Sequence, residues 1–149
     1  MFGYYAACWR KYGVFSGRSR RREFWFFTLV NFIINTAGQL TIGIVAPAVW
    51  TFLSFGYSIA VLVPTLAVTA RRLHDTGRSG WLQALPLAPL GLLVFFFIPG
   101  ITASVAIFLG VMLVLAVIVI SIVLLVFYCQ RGTPGVNRFG PNPKEVAES

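Results

Sequence analysis

The chain has 149 residues, is 58% apolar and only 11% charged, and carries a formal net charge of +8 from twelve Lys/Arg against four Asp/Glu. Soluble domains average about 45–50% apolar and about 25% charged, and a body this small cannot hide such an excess of hydrocarbon from water. The composition excludes a disordered tail, a disulfide-rich secreted module and a collagen-like repeat.

The N-terminal 23 residues carry Phe2, Tyr5, Trp9 and Tyr12 at spacings of three and four. That stripe predicts a short helix lying in the headgroup region, with Arg10 and Lys11 toward phosphates or water. Gly13 and Gly17 break the pattern. Ser19 is the expected N-cap of the next helix, and Glu23 sits favourably in its first turn. Glu23 is the only acid among six N-terminal basic residues, so an ion pair with Arg20 or with an arginine of the central loop is expected.

Residues 24–70 contain no formal charge, and neither do residues 81–130. As one helix each tract would measure about 70–75 Å against about 30 Å of hydrocarbon, so each predicts a helical hairpin. Gly43 and Pro47 mark the first turn and Pro99-Gly100 the second. The spans are then approximately 24–44, 49–70, 81–98 and 101–129. Pro64 removes a backbone donor in the second span, and Pro86, Pro89 and Gly91 make the third short and kinked. The fourth exceeds the bilayer and carries a small-residue ridge at Thr102, Ala106 and Gly110 for close helix contact.

All twelve basic residues lie outside the hairpins, in residues 1–23, the loop 71–80 and the tail 131–149. The positive-inside rule places those segments and both termini in the cytoplasm. The fold class is therefore an all-α membrane protein, a single domain forming a four-transmembrane-helix bundle of two helical hairpins, N-in and C-in, with a short interfacial N-terminal helix. Both cysteines, Cys8 and Cys129, fall on the reducing side. With one histidine and no CxxC, neither a metal nor another cofactor is expected. Basic islands without a soluble fold to carry them argue against nucleic acid and for anionic lipid headgroups, at roughly 1 kcal/mol per juxtamembrane Lys/Arg.

Within the first span, Thr28, Asn31, Asn35 and Gln39 share one face. Buried amides need partners in hydrocarbon, so this face turns inward as interhelical glue or lines a path for water or substrate. No Asp, Glu, Lys, Arg or His sits at membrane depth, which argues against a coupled pump.

The remaining chemistry lies in three stretches. They read Phe15-Ser-Gly-Arg-Ser-Arg-Arg-Arg-Glu-Phe-Trp25, Ala70-Arg-Arg-Leu-His-Asp-Thr-Gly-Arg-Ser-Gly-Trp81 and Cys129-Gln-Arg-Gly-Thr-Pro-Gly-Val-Asn-Arg-Phe-Gly-Pro141. In all three, and in their order, the chain resembles the DUF805 family of small bacterial inner-membrane proteins. The resemblance covers nearly the whole chain and implies a compartment and an architecture, but no reaction.

Arg18, Arg21, Arg22, Glu23, Arg71, Arg72, His74, Asp75 and Arg78 form the candidate ion-pair network or anion site, with Arg18, Arg21, Arg72 and Arg78 as donors to a headgroup or other phosphate. Gly77 fits a helix C-cap, and Ser79 can cap the helix that follows. Adjacent His74 and Asp75 point about 100° apart on a helix and make no ready dyad, and Ser79 with His74 lacks an assured third group. No enzyme is expected. In the tail, Gly132, Gly135, Asn137, Arg138 and Gly140 form a motif that folds back onto the cytoplasmic face, and Thr133 to Val136 suits a type II turn. The expected function is a non-enzymatic organiser or sensor that contacts anionic headgroups or an unidentified protein partner. The alternative is a small channel or transporter lined by the polar face of the first span, which requires a homo-oligomer.

Overall fold

The structure, a computed structural model, describes residues 2–97 and 102–143. The expected turn at Pro99-Gly100, and Lys144 of the third basic island, lie outside the described residues. The chain divides into two compact units, Met1–Gly80 with Arg131–Ser149, and Trp81–Gln130.

The first unit contains α1 (Phe2–Arg10), α2 (Arg21–Val45) and α3 (Pro47–Asp75), all in mutual contact. A single residue, Ala46, joins α2 to α3. Its N–H donates to the Ile42 carbonyl at 2.7 Å, and its carbonyl accepts the Trp50 N–H at 3.0 Å. Pro47 follows at the first position of α3, where a missing N–H costs nothing. Gly38 lets the hairpin close, since a Cβ there would lie 1.9–2.8 Å from the Trp50 ring. Gly43, expected at the turn, is instead held inside α2, because the Ala46–Pro47 junction reverses the chain unaided.

The buried apolar residues of this unit, among them Phe24, Phe27, Ala67, Val68, Ala70 and Leu73, gather where α2 begins and α3 ends. The other ends of both helices expose Leu40, Phe52 and Phe55. Part of the aromatic stripe of α1 faces this core. Tyr5 stacks on Phe27 with centroids 5.4 Å apart, Trp9 packs edge-on to Tyr5, and Cys8 is fully buried. Burial pushes the Cys8 thiol up to about 12, with the Glu23 carboxylate adding to the rise, so it remains a neutral thiol at physiological pH.

Pro64 lies inside α3, where its missing N–H leaves the carbonyl four residues earlier without its helical donor. That carbonyl belongs to Ala60, and the Tyr12 hydroxyl donates to it at 2.9 Å. The aromatic segment thus repairs the backbone defect that the proline creates. α3 ends in a Schellman motif. Gly77, at φ +74, donates to His74 O at 3.0 Å, and Arg78 donates to Leu73 O at 2.9 Å.

The second unit holds the 3-10 helix Gly80–Phe97 from its second residue onward, and α4, Ala103–Cys129. Where a third span is expected over 81–98 as a short kinked helix, the described residues 80–97 form a 3-10 helix, a tighter coil than an α-helix. Pro86 and Pro89 sit three residues apart, and at three residues per turn both missing donors fall on one edge. Three α-helices among the described residues, α2, α3 and α4, are long and apolar enough to cross a membrane. The described chain has no strand beyond an isolated bridge between Asn137 and Gly140.

The Tyr12–Ala60 bond yields a double-mutant prediction. Tyr12→Phe should destabilise the protein by about 0.5–1.5 kcal/mol by removing the hydrogen bond to the Ala60 carbonyl. In a Pro64→Ala background, where residue 64 regains its N–H, the same change should cost close to nothing. Thermal unfolding of the four proteins in detergent measures the coupling.

Candidate functional site

Residues 15–20 approach the end of α3 through a turn at Gly17, whose φ of +85 favours glycine. The Gly17 carbonyl meets His74 Nδ1 at 3.1 Å; a carbonyl only accepts, which assigns the proton to Nδ1. The Ser19 N–H donates to the Arg71 carbonyl at 3.1 Å. That bond holds Ser19 against α3, and α2 begins only at Arg21. Arg20 therefore occupies the N-cap position and makes no side-chain cap bond, while the Ser19 hydroxyl is buried with no partner among the described residues. Ser19 is not the cap expected of it.

Asp75, in the last turn of α3, is the centre of the site. One carboxylate oxygen, Oδ1, accepts Arg18 Nε at 3.0 Å, and the other, Oδ2, accepts Arg72 Nη1. Both arginine side chains are buried. Arg18 also donates from Nη1 to Gly135 O at 2.7 Å and from Nη2 to Thr133 O. Glycine provides the access: a Cβ on Gly132 would lie 2.1 Å from Asp75 Oδ2. The Thr133 N–H then donates to the Asp75 backbone carbonyl at 2.9 Å. Gly135, at φ +65, has the conformation that the third position of a type II turn demands.

Beyond that turn, Asn137 and Gly140 exchange two backbone hydrogen bonds of 3.0 and 3.1 Å around a two-residue tip. Asn137 donates from its amide to His74 O at 3.0 Å, and Phe139 stacks on the His74 ring with centroids 3.9 Å apart. Arg138 donates to Gly77 O at 3.1 Å and covers the Phe139 ring. The tail motif therefore docks on the end of α3 through side-chain and backbone bonds alike.

Glu23 pairs with Arg71 at 3.3 Å, not with Arg20. Arg20 donates to the Pro143 carbonyl instead. The Cys8 thiol points at the same Glu23 oxygen at 3.8 Å. Arg71 donates from Nε to Ala67 O at 3.3 Å, but Nη1 is misaligned with Glu23, and neither Nη1 nor Nη2 has a hydrogen-bond acceptor among the described residues.

His74 and Asp75 turn to different neighbours and share no proton path. Among the described residues no three His, Cys, Asp or Glu gather as metal ligands. Of the expected anion donors, Arg18 spends its N–H groups on Asp75 and the tail, and Arg72 pairs with Asp75 through Nη1. Arg78 is half-buried and turned toward the Thr76 carbonyl. The basic surface lies elsewhere, around a cavity of about 520 Å³ whose wall includes Arg20, Arg21, Arg22 and Arg131, with Asp75 and Gly132 at its inner side. Sequence reasoning left Arg20 and Arg131 out of the site. The available signal was position, since one immediately precedes α2 and the other follows closely on α4.

The polar face of α2 is largely satisfied by its own helix. Thr28, Asn31 and Asn35 donate to the carbonyls of Phe24, Phe27 and Asn31 at 2.9, 2.7 and 2.9 Å. Asn31 Oδ1 also accepts the Tyr57 hydroxyl from α3. Gln39 lies over Gly43 one turn on.

A family model described as "Protein of unknown function (DUF805)" matches residues 12–141, which takes in every residue of the arginine cluster. The chain is 38% identical over 144 residues to the inner membrane protein YhaI of Escherichia coli K12, covering 95% of each chain. It is 37% identical to the inner membrane protein YhaH of the same strain, covering 95% of this chain and 96% of that one. The uncharacterized protein YiiR of that strain is 30% identical, over 89% of this chain and 87% of its own. No solved structure matches.

Arg18→Gln should strip Asp75 of one partner and orphan tail carbonyls, a cost of about 3–5 kcal/mol for a broken buried pair. Residues 131–143 should then become sensitive to protease added to purified protein. Arg22→Gln removes the same charge from an exposed position and should shift stability by no more than about 0.5 kcal/mol.

Proposed function

The chain belongs to the DUF805 family, and on that premise we propose that it is an integral inner-membrane protein whose arginine cluster is a rigid cytoplasmic platform for anionic headgroups, with no catalytic step. The single observation that carries this reading is the cavity beside the start of α2, where four arginines meet one carboxylate that is already engaged by Arg18 and Arg72. A phosphodiester matches such a wall, because guanidinium groups bind phosphate oxygens in pairs and the N–H groups at the start of a long helix favour an anion. Arg21 and Arg22 also adjoin the apolar stretch of α2, at the level where headgroups lie.

A four-span, N-in and C-in topology belongs to this reading. Arg18, Asp75 and Thr133 are joined by hydrogen bonds, so the segments before α2, after α3 and after α4 share one face. A segment that leaves one face and returns to it crosses an even number of times. α4 supplies one crossing of residues 81–130, and the 3-10 helix, about 36 Å long at roughly 2.0 Å per residue, is long enough to supply the other. The basic residues cluster on the shared face, which the positive-inside rule assigns to the cytoplasm.

The pore reading loses support from the same α2 face that motivated it. Asn31 and Asn35 are turned to carbonyls of their own helix, and Asn31 is tied to Tyr57, the arrangement expected of interhelical glue.

Two measurements check these points. Arg22→Gln with Arg131→Gln should lower the phosphatidylglycerol retained in native mass spectra from mild detergent, with insertion unchanged; retention equal to wild type overturns the platform. Asn31→Leu should lower the thermal unfolding temperature, by the equivalent of about 0.6–2 kcal/mol.

A further inference from the structure

The end of the tail is fastened by a different kind of bond from the part before it. Residues 133–140 dock on α3 through the buried Arg18–Asp75 pair, the Asn137 amide and the stacked Phe139 ring. Pro143 is held through its carbonyl by Arg20, which donates to that one oxygen from Nε, at 2.9 Å, and from Nη2. Arg18 is buried, whereas Arg20 is only half-buried.

Three features make this hold yield to an anion. The first is charge. Arg20 makes no ion pair among the described residues, unlike Arg18 and Arg72 with Asp75 and Arg71 with Glu23. Its guanidinium is met by a neutral oxygen. The second is geometry. The Nε–Nη2 edge of a guanidinium is a fork that fits two oxygens of one phosphate. On Pro143 both donors converge on a single atom, so a phosphate offers the same edge a second acceptor and a counter-charge. The third is place. Arg20, Asn142 and Pro143 all stand on the wall of the cavity of about 520 Å³, beside Arg21, Arg22 and Arg131. An anion drawn in by those three arginines reaches the fork that holds the tail.

We propose that an anionic headgroup in the rim cavity takes Arg20 from the Pro143 carbonyl and releases the end of the tail, so that the tail reports whether the platform is occupied. Resting on the platform reading, this release adds a conformational consequence to lipid binding. A ligand shifts an equilibrium only by its differential affinity for the two forms, and here the difference is the Arg20 contact. Residues 133–140 stay docked, because the ion pair of Arg18 with Asp75 is not one for which the headgroup competes.

The chain has two lysines, Lys11 and Lys144. A lysine-specific protease therefore reads the tail at the residue that follows Pro143. Cleavage at Lys144 of the full-length protein in mild detergent, normalised to a free peptide of residues 138–149 in the same mixture, tests the latch. Phosphatidylglycerol should speed cleavage about tenfold over phosphatidylcholine, the scale of one exchanged charge-assisted hydrogen bond. Arg20→Gln should be cleaved at the fast rate with either lipid. Arg22→Gln with Arg131→Gln should stay slow in phosphatidylglycerol, because the lipid is no longer held. Inorganic phosphate at equal ionic strength separates the sources: if it speeds cleavage and phosphatidylglycerol does not, the latch stands, its ligand is a soluble phosphate and the headgroup platform falls. One rate for wild type under all three conditions overturns the latch, and phosphatidylglycerol retention in native mass spectra then shows whether the platform survives it. Arg20→Gln cleaved as slowly as lipid-free wild type overturns the latch equally, by assigning the hold on the tail end to other contacts.

Discussion

The Asp75 carboxylate is the part on which the rest of this molecule depends. It ends α3 and accepts Arg18 from the segment before α2 and Arg72 from its own helix, while its backbone carbonyl accepts Thr133 from the tail. Three stretches widely separated in sequence are thereby fastened at one point. Buried ion pairs contribute little net stability against their desolvation, but they are severe about geometry, since each unpaired member is costly. Here that severity is spent on position. Gly132 reaches the carboxylate only because it has no side chain, and the Schellman turn through Gly77 presents backbone carbonyls to Asn137 and Arg138.

Much of the architecture was legible in composition alone, because uncharged tracts and basic islands report directly on where water ends. α2 and α4 fall close to their expected limits, and the islands that the charge count set apart are the pieces that assemble. What the residues did not reveal was partner choice. Glu23 had several arginines within plausible reach, and only the packing of α1 and α3 selects Arg71. Ser19 has the chemistry of an N-cap, yet its own N–H is bound to Arg71 O, a contact between segments that no local pattern encodes. The 3-10 form of Gly80–Phe97 follows from the three-residue spacing of two prolines, a signal that was present but reads equally as a kink.

The candidate site was legible in its residues but not in their roles. Arginine is chemically the same whether it holds a tail or a ligand, and burial alone separates the two. Arg18 and Arg72 lie inside on Asp75; Arg71 lies inside against Glu23; Arg22 and Arg131 lie outside beside a cavity. Tyr12 makes the same point for the backbone. As one aromatic in a stripe it resembles a depth anchor, and only the proline gap at Ala60 gives its hydroxyl a specific task.

The bonds from Arg18 to Thr133 and Gly135 join residues more than a hundred positions apart in sequence. α1, α2 and α3 are synthesised before the tail, so Arg18 and Asp75 first meet with part of their shell missing. Only the arrival of residues 133–140 closes it. Without the tail, the end of α3 would keep an open charged cluster, because Arg18 would lose the carbonyls of Thr133 and Gly135 and Asp75 would lose the Thr133 N–H.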